Sequence, residues 1–99
     1  MEHDVIEGPV LTAFRLSEER AAAGYLAARK EMVRLATRLA SVRQMVTEQP
    51  LRADYRAALR ELETAHRDAM RRTRRAFERW HHAQLRSDTH WTATQGRAA

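Results

Sequence analysis

Six arginines and two histidines crowd residues 71 to 86, RRTRRAFERWHHAQLR, with Phe77 and Trp80 set among them. Guanidinium groups beside aromatic rings are raw material for nucleic-acid binding, because the cations neutralise phosphates and the rings stack on bases. Histidine adds metal ligation and proton transfer. Spacing decides among these chemistries. His81 and His82 are neighbours in the chain, so on a helix their side chains diverge by about 100 degrees and cannot share a metal ion unaided. No two histidines stand at i, i+4, and no HExxH occurs. Ser17, Ser41 and Ser87 lack a Gly-flanked elbow, no Gly-rich phosphate loop is present, and without cysteine there is no thiolate nucleophile or ligand. The expectation is therefore a non-enzymatic chain with no cofactor, no metal and no small-molecule substrate.

One catalytic pattern stands beside that expectation. Arg60 and His66, and again Arg75 and His81, are separated by five residues, which resembles the Arg-x4-6-His motif of helical ribonucleases of the HEPN class. The resemblance implies RNA cleavage by such a pair, and it is kept as the distant alternative. Glu61 supplies the polar residue that the motif places after Arg; Ala76 departs from it. Phe14-Arg15-Leu16-Ser17-Glu18-Glu19 is similar to the strand-to-helix start of ribbon-helix-helix repressors, but the helix expected after it is too long for that fold.

Those side chains must be carried by helices. Pro and Gly are few and fall where breaks are expected, at Gly8-Pro9, Pro50 and Gly96, and the stretches between them are rich in Ala, Leu, Arg, Glu and Met. From 17 to about 47, Ala21, Tyr25, Ala28, Met32, Leu35, Leu39, Val42 and Val46 alternate at spacings of four and three, a helix with a heptad seam. Ser17 before Glu18 and Glu19 suits an N-cap with acids in the first turn. Leu11 and Phe14 extend the same seam, while Val10, Thr12, Phe14 and Leu16 alternate like a strand. Residues 1–16 are thus an arm open to strand, helix extension or flexible chain. Pro50 suits the first turn of a second helix, 50–86, after a turn at 47–50. On a straight helical wheel Leu51, Tyr55, Leu59, Leu62, His66, Ala69, Met70, Thr73, Ala76, Phe77 and Trp80 share one arc, so Phe77 and Met70 are expected to face the core. Residues 87–99 show no periodicity and read as a loose tail.

The fold expected is all-α, an antiparallel hairpin of two long helices. Leu26, Val33 and Ala40 form a second apolar shoulder beside the first seam, and with Tyr25 they are the candidate interface. The small-residue patch Ala21-Ala22-Ala23-Gly24 would permit a close backbone approach. A two-helix unit with such a shoulder has a flank left to cover, so dimerisation into a four-helix bundle, or docking of a helical protein partner, is expected.

Net charge is +5, and the excess sits in residues 66 to 86, which hold seven basic and two acidic side chains. Arg67, Arg71, Arg74, Arg75 and Arg79 lie away from the apolar arc and are the candidate DNA or RNA contacts, to backbone phosphate rather than base edges. Arg outnumbers Lys seventeen to one, a ratio that also fits a GC-rich coding sequence. The acidic first twenty residues do not read as a signal peptide, and the apolar run Ala21 to Ala28 is too short for a bilayer, so a cytoplasmic protein without membrane contact is expected.

Overall fold

A computed structural model describes the backbone of residues 2–98 and the side chains of residues 8–93. Within them the chain is all-helical: α1 covers Glu2–Glu48 and α2 covers Ala53–Ala98, two long helices packed as a hairpin. No helix is long and apolar enough to cross a membrane.

Local chemistry sets the turn. The Arg52 amide donates to the Gln49 carbonyl at 3.2 Å, closing a four-residue turn with Pro50 at its second position, where the fixed φ of proline fits. Pro50 is therefore spent in the turn, and α2 opens at Ala53 instead of at 50. The Arg52 carbonyl then accepts from the Arg56 amide at 3.2 Å, the first bond of the new helix. The Arg52 guanidinium also bonds both Asp54 carboxylate oxygens, at 3.1 and 2.7 Å, and lies 3.7 Å from the centre of the Tyr55 ring. That ion pair holds Asp54 below its ordinary pKa, through the hydrogen bond from Arg52 first of all.

At the N-terminal end the structure takes the helix extension among the three alternatives: α1 runs through Gly8-Pro9, at the cost of the one backbone bond that proline cannot donate. The other end is a correction. Residues 87–99, expected as a loose tail, are helical to Ala98. The seam explains the extension, because small and half-polar residues continue it past 86. Ala83 and Ser87 are buried and His90 is half-buried at the same four-three spacing.

In each helix the buried positions follow a heptad, with half-buried residues such as Ala36, Ala58 and Ala65 beside it. On α1 its members are the predicted seam positions from Leu11 to Val46. On α2 the sequence Tyr55, Leu59, Leu62, His66, Ala69, Thr73, Ala76, Trp80, Ala83, Ser87, His90 repeats every seven residues without a break, and every member is buried or half-buried. This is the narrow contact stripe of a two-stranded coil, not the wide arc of a helix in a globular core.

The chain divides into two compact units. The turn unit, Leu26–Arg75, has Leu35, Leu39, Ala69 and Thr73 as its buried residues. The Thr73 hydroxyl donates to the Ala69 carbonyl at 2.8 Å, so its burial is compensated. The terminal unit, Met1–Tyr25 with Ala76–Ala99, buries Ala76, Ala83 and Ser87. Ala69, Ala76 and Ala83 occupy one seam row at successive heptads and are 1%, 3% and 2% exposed, which leaves no room there for a larger side chain. No large side chain among the described residues is fully buried.

Candidate interaction surface

A seam this narrow leaves apolar side chains outside it. In the turn unit Leu26 is 60% exposed, Val33 52% and Met70 49%, and Ala40 is exposed as well. In the terminal unit Phe77, Leu85 and Trp91 are exposed large hydrophobics. Leu26, Val33 and Ala40 lie one heptad apart on α1. Met70, Phe77 and Trp91 lie on α2 at multiples of seven, immediately after the buried row of Ala69 and Ala76.

Two residues assigned to the core by sequence, Met70 and Phe77, therefore sit on the flank, and Leu51 in the turn is 91% exposed. The cause is helical phase. Period 3.6 gathers residues 69, 70, 73, 76, 77 and 80 into one arc, whereas a two-stranded contact at period 3.5 covers only 69, 73, 76 and 80. The unbroken four-three spacing of α2 carried that information in the sequence.

In the terminal unit the flank is aromatic. Tyr25 and Trp80 stack with ring centres 5.5 Å apart and planes 16° from parallel, and Phe77 meets Tyr25 edge-on at 5.6 Å and Trp80 at 6.0 Å. Tyr25, a candidate interface residue, is thus held in a ring cluster of its own unit. The outer side of Phe77 carries His81, parallel to within 2° at 6.1 Å. Trp80, with Glu18, Glu19, Arg15 and Ala22, lines an open recess of about 320 Å³. Two broader apolar grooves in this unit share Phe14 and Arg86 and hold about 550 and 500 Å³.

In the turn unit Arg67, Arg71 and Arg74 surround Met70 in an open groove of about 320 Å³. Arg71 is the one of these paired with an acid, to Asp68 at 3.5 Å with both side chains well solvated, a contact worth little. Among the described residues Arg74, Arg75 and Arg79 form no ion pair, and all the candidate arginines are exposed. At about 100 degrees per residue, Arg67, Arg71 and Arg75 step round the helix by about 40 degrees each, and Arg74 lies about 20 degrees from Arg67.

On α1 of the turn unit, Arg34 grips Glu31 with contacts of 2.9 and 2.6 Å. That hydrogen bond, with smaller help from the charges of Arg34, Arg72 and Arg38, lowers the Glu31 pKa. A cation of α2, Arg72, thus acts on a carboxylate of α1 within the turn unit. The turn unit holds thirteen Lys or Arg against six Asp or Glu, a surplus of seven. The terminal unit holds five against seven, a deficit of two. Hairpin pairing thus joins the arginines of α1 to those of α2, where the sequence alone located the excess in residues 66 to 86.

Among the described residues no three His, Asp or Glu side chains gather as metal ligands. The His81 and His82 rings are 6.4 Å apart and inclined at 50°. Arg60 and His66 are six residues apart on one helix and point about 120 degrees away from each other, as do Arg75 and His81. Gly24 has open space where a Cβ would stand, so no close approach within the chain uses it.

Comparison of the chain with protein families, with curated proteins and with solved structures finds no match.

Proposed function

We propose that this chain is a non-enzymatic helical association module whose two-helix unit pairs with a second copy to complete a four-helix bundle. The observation that carries the reading is the row of exposed apolar residues beside a thin seam, Leu26 and Val33 on α1 and Met70 on α2. Leucine, valine and methionine repeated at heptad spacing next to a covered row are what a further helix buries. The test is sedimentation velocity across a concentration series. A dimer with a dissociation constant in the micromolar range or below supports the module, and a monomer at several hundred micromolar refutes it.

A second reading rests on a separate observation, the surplus of seven cations in the turn unit, where Arg74 and Arg75 form no ion pair among the described residues. In this reading the dimer presents Arg67, Arg71, Arg74, Arg75 and Arg79 to the backbone of DNA or RNA, without base readout. Fluorescence anisotropy with single- and double-stranded oligonucleotides over a salt series tests it. Binding that weakens by several ions per site, and is lost when Arg71, Arg74 and Arg75 are changed together to Gln, supports phosphate contact. No binding at low salt leaves the module a protein-interaction device alone.

A further inference from the structure

We infer that the phosphate-contacting face of the turn unit is built by both helices, with Arg29 and Arg43 of α1 and Arg60, Arg67 and Arg74 of α2 lining one side of the seam. The inference rests on the second reading above and deepens it, moving the nucleic-acid contact from α2 alone to a side that the two helices share.

The seam divides the surface of the turn unit into two sides. Because the helices run in opposite directions, residues that immediately follow a seam residue share one side, and residues that immediately precede one share the other. The charge of Arg72 that acts on Glu31 fits this rule, for each of the two precedes a seam residue, Thr73 and Met32. The same pair gives the register of the helices. Arg29 then lies level with Arg74, Ala36 with Arg67 and Arg43 with Arg60, and the closed turn from Gln49 to Arg52 imposes that alignment to within about half a helical turn.

Charge is divided unequally between the two sides. The side that follows the seam holds six arginines, the five named and Arg56, against one acid, half-buried Glu63. The other side is balanced, with Arg34, Arg38, Arg72 and Arg75 against Glu31, Asp54, Glu61 and Asp68. Five of the seven surplus cations of the unit therefore belong to one side. All six arginines there are exposed, and among the described residues the ion pairs use none of them: Arg34 holds Glu31, Arg52 holds Asp54 and Arg71 meets Asp68.

Arg60, Arg67 and Arg74 repeat at about 10 Å along α2, and Arg43 and Arg29 stand across the seam from the two ends of that row. A polyanionic backbone laid along the seam meets guanidiniums on both flanks. Guanidinium groups match phosphate oxygens two at a time, which suits an arginine-lined side. An apolar occupant fits worse. Arg29, Arg43 and Arg56 stand in the rows nearest the seam, so a lipid phase or an uncharged helix lying there would bury them without partners. Leu26, Val33 and Ala40 form the outer edge of α1 on this side, so a second copy meeting that edge leaves the arginines open.

Paired variants with equal loss of charge test the assignment, by fluorescence anisotropy of the full chain with single-stranded and duplex oligonucleotides over a salt series. Arg29→Gln with Arg43→Gln is expected to weaken binding about tenfold or more at about 0.1 M salt and to lower the salt slope by about two ions. Arg38→Gln with Arg75→Gln, on the balanced side, should stay within about threefold of the wild type with its slope unchanged. All four positions are exposed on helices and Gln is a good helix former, so circular dichroism should show each variant folded as the wild type is. Equal losses in the two variants, or binding untouched by the first, overturn the assignment to this side while leaving nucleic-acid binding in place. Tighter binding to phosphatidylserine vesicles than to either oligonucleotide overturns it in favour of a membrane surface. A wild type that binds neither oligonucleotide at low salt overturns the second reading and this inference together.

Discussion

Replacing Leu26 and Val33 together with Glu tests the exposed flank most directly. A fully buried Leu or Val side chain contributes about 1.5–3 kcal/mol relative to an exposed one. Leu26 is 60% exposed and Val33 52% exposed within the single chain, so more than half of that contribution is still unused by the hairpin itself. The two side chains together then hold about 2–3 kcal/mol per copy, or roughly 5 kcal/mol across a symmetric pair. At about 1.4 kcal/mol per factor of ten, the double change should raise the dimer dissociation constant by at least about a thousandfold, before the cost of burying two carboxylates is added. Sedimentation equilibrium measures this. Circular dichroism melts at several protein concentrations supply the control. A dimer that supports the fold gives a melting temperature that rises with concentration for the wild type and no longer does for the variant. The reasoning is refuted if the variant sediments as the wild type does with unchanged stability, for the shoulder would then be a solvated surface.

Ala69 is 1% exposed in the tightest row of the seam, so Ala69→Leu should overpack it and lower stability by about 1–3 kcal/mol in a denaturant melt; an unchanged midpoint would mean that the row is open. Gly24 lies mid-helix with open space around its missing Cβ, and Gly24→Ala should raise stability by about 0.5–1 kcal/mol without changing the oligomer, whereas a loss would reveal a close approach there. The Ser87 hydroxyl oxygen is buried without a hydrogen-bond partner among the described residues, in contrast to Thr73, which bonds the Ala69 carbonyl. Ser87→Ala should therefore be neutral or stabilising by about 1 kcal/mol, and a clear loss of stability would show that the hydroxyl is satisfied.

Much of the fold was legible in the residues because helix formation and heptad spacing are local properties. The run from Leu11 to Val46 marks the seam of α1 by type and interval alone, and scarcity of Pro and Gly leaves little room for any element but helix. The chain ends were harder to read: Gly8-Pro9 looked like a break, and residues 87–98 hold one large apolar residue, Trp91, which lies off the seam that Ala83, Ser87 and His90 continue. Pairing of the helices decided the rest. With a single partner, α2 covers a stripe rather than an arc, which turns Phe77 and Met70 outward and gives the chain an apolar flank on α2 as well as α1. Pairing also gathered cations of α1 and α2 into one compact unit. The local surplus of charge in the turn unit depends on which distant residues are brought together, and residue order along one helix carries no record of that.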